Sequence, residues 1–121
     1  MIDLHSHSTA SDGRASPADA TRYAAEKELT VWALTDHDTV AGLHEAAEVC
    51  RKTGVVFVPA IEITVHWPTG EFHLLGHGLT HCSAELADVI AELKESRDER
   101  NAYIIEKMAE DGIHVTAEEL K

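Results

Sequence analysis

Met1-Ile2-Asp3-Leu4-His5-Ser6-His7 opens the chain, and its reading decides the fold. Met1 to Leu4 is short and largely apolar, as a strand is, and residues two apart in a strand share a face. His5 and His7 therefore present two imidazoles side by side where the strand ends. Neutral imidazoles on one face suit a borderline divalent cation and add little to an apolar core. One such pair alone also fits a polar strand end that carries two histidines by accident. The pattern recurs, however. Val31-Trp32-Ala33-Leu34 runs into Thr35-Asp36-His37-Asp38, and Val55-Val56-Phe57-Val58-Pro59-Ala60-Ile61 runs into Glu62. Glu71-Phe72-His73-Leu74-Leu75 places a further histidine in a strand-like stretch. Four candidate strands thus each bring a metal-type ligand at or near an end.

Helical patterns separate the first three. Ser16-Pro17-Ala18-Asp19 has an N-cap serine, proline at the first helical position and an acid in the first turn. That helix is expected to reach about Lys27, with Ala20, Tyr23 and Ala24 facing inward. A second helix is expected to begin after Asp38 or Thr39, to carry Leu43, Ala46, Ala47 and Cys50 at helical spacing, and to stop at Gly54. Alternating strands and helices predict an α/β fold with parallel βα units, which place functional residues at the carboxyl ends of their strands. After Glu62 the pattern changes. Ile63 to Trp67 and Phe72 to Leu75 flank Pro68-Thr69-Gly70 and predict a β-hairpin. Ser83 then caps a long helix to about Asp111, with Leu86, Val89, Ile90, Leu93, Arg97, Arg100, Ile104 and Met108 along one face and Gly112 as its stop. Thr116-Ala117-Glu118-Glu119 has the form of a capping box just before the last residue, Lys121. The expectation is one domain over residues 1–121 that is incomplete at its C-terminal end.

With 22 acidic and 10 basic residues, the formal charge is −12. Such a surface argues against tracking long duplex nucleic acid. No apolar stretch approaches a membrane span and no signal-peptide pattern precedes the first strand, so a cytoplasmic protein without a membrane partner is expected. Cys50 and Cys82 form no CxxC pair, in keeping with a reduced compartment. Cys50 reads as helix packing, and Trp32 as core.

Ile2-Asp3-Leu4-His5-Ser6-His7-Ser8, Ser11-Asp12-Gly13, Leu34-Thr35-Asp36-His37-Asp38, Ile61-Glu62-Ile63 and the stretch from Val65 to Leu75 together resemble the PHP (polymerase and histidinol phosphatase) superfamily. The likeness is to the N-terminal part of its small bacterial phosphoesterases of nucleotides and short oligoribonucleotides, and it runs from Met1 to about Gly78. It implies the front part of a distorted (β/α)7 TIM-like barrel with a trinuclear metal centre at its carboxyl end. Carried over by position, His5 and His7 hold one metal and Glu62 bridges it to a second. His73 resembles a ligand of that second metal, and Asp12 and His37 resemble ligands of the third. Later ligands of the family, in a His-Pro step and a terminal Asp-x-His, have no counterpart: His114 is not followed by proline.

The chemistry of such a site can be stated from the residues. Two metals about 3.5–4 Å apart clamp the attacking and leaving oxygens of an in-line phosphoryl displacement, and a metal lowers the pKa of its water to about 7. Mixed imidazole and carboxylate ligation suits manganese, zinc or iron, and a third cation would take up phosphate charge. Arg14 either contacts the substrate phosphate or is a solvated loop residue. Asp36 and Asp38 either orient imidazoles or cap the next helix. His44 reads as solvated or partner-facing, His77 and His81 as loop histidines in preference to an adventitious ligand, and His66 as lining the pocket mouth or the hairpin surface. Three functions follow: a metal-dependent phosphoesterase, which the residues favour; a catalytically incomplete metal-binding or structural module; and an amidohydrolase-type metal hydrolase. The Ser11-Asp12-Gly13 loop and the Thr35-Asp36-His37-Asp38 turn speak against the last. An open sheet edge and uncovered apolar faces predict self-association of the isolated chain.

Overall fold

The structure, a computed structural model, describes residues 1–119. It divides into two compact units, Met1–Ser83 and Ala84–Lys121. The first holds β1 (Ile2–Asp3), α1 (Pro17–Glu26), β2 (Val31–Leu34), α2 (Leu43–Thr53), β3 (Val56–Trp67) and β4 (Gly70–His77). The strands form one sheet in the order β1-β2-β3-β4. The first three are parallel and β4 is antiparallel to β3. This is a mixed α/β fold, and its parallel βα units are those the alternation predicts.

Local chemistry sets the helix ends. The Ser16 hydroxyl accepts from the Asp19 amide at 3.1 Å and Pro17 follows it, so α1 starts where expected. Its buried face is Pro17, Ala18, Thr21 and Ala24. Tyr23, expected to face inward, is 59% exposed. It lies about 100° around the helix from Ala24, and Thr21 fills the inward position by donating its hydroxyl to the Pro17 carbonyl at 2.7 Å. The second helix also departs from expectation. α2 begins at Leu43 behind Gly42, because Asp38 adopts φ 50 and ties its backbone to β3. Gly42 is buried, and a Cβ there would sit 3.0 Å from Pro17 Cγ and 3.1 Å from Asp36 Oδ2. The starts of both helices therefore converge on a glycine. Gly54 ends α2 at φ 80, its amide donating to the Cys50 carbonyl at 2.9 Å.

The core lies between the helices and the sheet. Ala24, Trp32, Leu34, Ala46, Cys50 and Val55 are buried together, with Leu29, Leu43 and Phe57 packed against them. Trp32 is core, and Cys50 is helix packing, as expected.

β3 joins two strands that were expected to be separate. Its first part pairs with β2, from Val31↔Val56 to Leu34↔Pro59, and its second pairs with β4, from Ala60↔His77 to Trp67↔Gly70. Pro59 has no N–H to give, and the strand changes partner there. Glu62 consequently lies inside a strand, not at a strand end. His77, expected in a loop, closes β4, and its Nε2 lies 2.8 Å from the Leu4 carbonyl oxygen. A residue of β4 that reaches the end of β1, across two intervening strands, requires the sheet to curl.

The second unit contains α3 (Ala84–Glu110), none of whose residues is buried. Leu86, Ile90, Leu93, Arg97 and Met108 of the expected stripe are half-buried. Farther along, Ile105 takes that place and Ile104 is 43% exposed. Gly112 at φ 82 ends the helix with paired bonds, Gly112 N–H to Ala109 O at 3.0 Å and Ile113 N–H to Met108 O at 2.9 Å. The Thr116 hydroxyl and amide both donate to Glu119 Oε2 at 2.9 Å, so the capping box forms. Whatever helix follows it lies outside the described residues. Among the described residues no helix is long and apolar enough to cross a membrane.

Candidate metal centre

Three anchors bring five of the six candidate ligands together, and the pairing of β4 with β3 brings His73. The first holds His5-Ser6-His7 beyond the end of β1. The Thr35 amide and hydroxyl donate to the Ser6 carbonyl at 2.9 and 3.0 Å, and the Ser6 hydroxyl donates to the Ala33 carbonyl at 2.7 Å. With Ser6 pinned to the β2 side, His5 and His7 flank it on the opposite face.

The second anchor is Asp36, which is 1% exposed. Its Oδ1 accepts from the Ser8 amide at 2.6 Å and the Ser11 hydroxyl at 2.8 Å, and its Oδ2 accepts from the Ser8 hydroxyl at 2.7 Å. Asp36 therefore neither orients an imidazole nor caps α2; it organises the loop that presents Asp12. Inside that loop the Gly13 amide donates to the Ser8 carbonyl at 2.8 Å. A Cβ on Gly13 would lie 2.5 Å from the His7 carbonyl carbon.

The third anchor sets His37 against Glu62 in an isolated parallel bridge. The Glu62 amide donates to the Asp36 carbonyl at 3.2 Å, and the Asp38 amide donates to the Glu62 carbonyl at 2.9 Å. The Asp38 carboxylate accepts from the Thr64 amide at 2.8 Å and from its hydroxyl at 3.0 Å. Asp38 thus fastens the turn to β3 instead of capping a helix.

Glu62, 3% exposed, is the centre. Its Oε2 lies 2.8 Å from His5 Nε2, 3.1 Å from His7 Nε2 and 3.8 Å from His37 Nε2. Its Oε1 lies 2.9 Å from His73 Nδ1. Asp12 stands at the other side, 3.5 Å from His7 Nδ1 and 3.8 Å from His37 Nε2. The rings of His7 and His37 stack at 4.7 Å, and His37 meets His73 edge-on at 4.8 Å. Among the described residues, three groups have ligand atoms close enough to share a cation: His5, His7 and Glu62; His7, Asp12 and His37; and His37, Glu62 and His73.

The donor set fits a divalent cation on two counts. His7 Nδ1 and His37 Nδ1 are buried and have no hydrogen-bond partner among the described residues, a condition that buried polar atoms rarely tolerate. Four imidazoles also converge on one buried carboxylate, a nitrogen and oxygen set preferred by first-row divalent metals. Burial pushes the Glu62 carboxyl up, but the His5 hydrogen bond, the nearby charges of His37 and His5, and the His73 hydrogen bond outweigh it. Its pKa therefore falls below the ordinary carboxylate value, and Glu62 is ionised and able to be shared.

Other candidates lie elsewhere. His44 is exposed on α2, and His81 Nδ1 lies 3.1 Å from Thr80 Oγ1 in a loop. His66 Nδ1 lies 3.3 Å from Glu71 Oε2 on the hairpin. Arg14 is exposed, has no ion pair among the described residues, and lines a cavity of about 560 Å³ whose wall includes His7, Tyr23 and Trp32. Sequence reasoning missed Glu71, whose Oε1 lies 3.4 Å from His73 Nε2. The signal was present: they stand two positions apart in a strand, which puts both on one face.

The model of the PHP domain matches residues 3–83, most of the chain and all six candidate ligands. The chain belongs to the PHP domain family. This PHP chain is 37% identical over 99 residues to a 3',5'-nucleoside bisphosphate phosphatase of Chromobacterium violaceum, covering 82% of the chain and 35% of that relative. It is 33% identical over 111 residues to a 5'-3' exoribonuclease of Haemophilus influenzae, covering 92% of the chain and 40% of that relative. The solved structure of an amidohydrolase from Chromobacterium violaceum superposes with a TM-score of 0.89 at 34% identity, covering 94% of this chain and 40% of that one. The PHP chain therefore spans well under half the length of each.

Proposed function

We propose that the PHP chain carries the metal-binding front part of a phosphoester hydrolase acting on nucleotides or short oligoribonucleotides. The observation that carries this reading is the buried, ionised Glu62, with His5, His7, His37 and His73 all within 4 Å of its oxygens. In this reading His5 and His7 hold one cation and Glu62 joins it to a second held with His73. Asp12 and His37 hold a third. Manganese, zinc or iron suits those donors, and such cations supply charge for a phosphate and acidify water. The chain's own residues prepare the place. Ser6 and Asp36 hold the His5–Asp12 segment, Asp38 holds His37 opposite Glu62, and Arg14 meets a substrate phosphate from the adjoining cavity. The names of the curated relatives, a phosphatase and an exoribonuclease, support a phosphorylated substrate over the amide suggested by the similar amidohydrolase structure.

The same reading places residues 1–121 in one phosphoesterase domain of the (β/α)7 type and in the cytoplasm, where the free Cys50 and Cys82 stay reduced. Ile2 and Leu4 at the β1 edge are exposed, and apolar side chains beside an open strand edge favour association. Sedimentation of the isolated chain is expected to show species larger than a monomer; a single monomeric species would count against that part.

The principal test is manganese-dependent phosphate release from nucleotide monophosphates and bisphosphates by the 121-residue chain and by His5→Ala. Release by the parent alone is the expected result. Among the described residues each ligand group contains only three, which is the observation favouring a binding module without activity. Manganese binding without release by either chain would establish that second reading.

A further inference from the structure

We infer that Glu71 is a positioning residue: it receives the Nε2 side of His73 and so leaves Nδ1 facing Glu62. The inference rests on the metal-centre reading above. In the register of β3 and β4, His66 stands opposite Glu71 and Thr64 opposite His73. Opposed residues of an antiparallel pair share a face, and so do residues two apart. Glu62, Thr64 and His66 from β3 therefore lie on one face with Glu71 and His73 from β4. His73 is suspended between two carboxylates along that face, with Nδ1 2.9 Å from Glu62 Oε1 and Nε2 3.4 Å from Glu71 Oε1. Glu71 is itself steadied from its other oxygen, Oε2, which lies 3.3 Å from His66 Nδ1.

Both ring nitrogens face a carboxylate oxygen. A cation shared with Glu62 would take the place of a hydrogen on Nδ1, which leaves the ring hydrogen on Nε2, where Glu71 can accept it. Glu71 thereby selects the ring orientation and tautomer in which Nδ1 is offered to the His37, Glu62 and His73 group. Partners of this kind typically change metal affinity about 10–100-fold. The competing account is that Glu71 only strengthens the hairpin through its cross-strand contact with His66.

Manganese titration by calorimetry and the ¹⁵N spectrum of the zinc-loaded imidazoles separate the two. The parent is expected to bind manganese and to carry the His73 proton on Nε2. Glu71→Ala is expected to bind about 10–100-fold more weakly at one class of site. Glu71→Gln, which keeps an acceptor, should recover most of that loss, and His66→Ala, which removes only a support of Glu71, should lose clearly less than Glu71→Ala. A proton on His73 Nδ1 in the zinc-loaded parent overturns the inference without any variant. So does parent-like affinity in Glu71→Ala, or an equal loss in His66→Ala and Glu71→Ala. A parent chain that binds no manganese would instead overturn the metal-centre reading, and this inference with it.

Discussion

Glu62→Gln is expected to remove far more bound manganese than substitution at His44, outside the candidate centre, with affinity falling by more than the roughly 10–100-fold typical of outer ligand partners. The amide keeps the volume of the side chain and loses its charge. Glu62 belongs to two of the three candidate ligand groups, and its Oε2 lies within 4 Å of the third group's His7 and His37. Its loss is therefore not confined to one position. His44→Ala, on the exposed face of α2, should leave manganese content unchanged. Equal loss from both variants, measured by metal analysis after dialysis, would sink the ligand assignment.

The same substitution should change how the metal-free chain responds to acid. The Glu62 pKa is lowered from its ordinary value of 4.5. A carboxyl whose folded value is depressed contributes stability that is fully present above the unfolded value and is lost as pH falls through the folded one. The metal-free parent should thus lose stability on the acid side of about 4.5 more steeply than Glu62→Gln does. Thermal melts of both chains through the acid range check this, and parallel profiles would contradict it.

Gly13→Ala is expected to damage the site from a position that offers no ligand. Its Cβ would lie 2.5 Å from the carbonyl carbon and oxygen of His7 and 2.6 Å from the Ser8 nitrogen. All three are backbone atoms, so no rotamer relieves the overlap, and either the loop or the His5–His7 segment must move. Overpacking of this kind costs about 1–3 kcal/mol, and each kcal/mol lowers the melting temperature of a small domain by about 4–8 °C. His7 and Asp12 are carried by the two segments forced apart, so manganese binding should fall together with stability. Gly70→Ala is the control: nothing lies within 4 Å of its Cβ position and its φ is not in the left-handed region. Melting and manganese titration of Gly13→Ala indistinguishable from those of Gly70→Ala would show that the loop yields freely.

Five of the six candidate ligands were legible as chemically specific residues on or beside a short apolar run, whereas Asp12, in the Ser11-Asp12-Gly13 loop, was suggested by the family resemblance. The roles of Asp36 and Asp38 were not legible. An acid ahead of a helical pattern is indistinguishable in sequence from an N-cap, whereas here Asp36 binds Ser8 and Ser11 and Asp38 binds Thr64. Tyr23 was misplaced because an aromatic near a helix face satisfies periodicity equally well exposed or buried. His77 could not be read as a tie to Leu4, since that contact exists only after the sheet curls.

By itself the sequence determined the alternation of strands and helices, the glycine stops at Gly54 and Gly112, and the residue types able to hold a cation. These are local properties, set by backbone preference and by spacing within a few residues. Tertiary structure alone decided that β3 would run unbroken through Pro59 and that Glu62 would lie at the centre of four imidazoles. Those outcomes depend on pairing between segments tens of residues apart, whose register is chosen by packing and hydrogen bonding across the sheet.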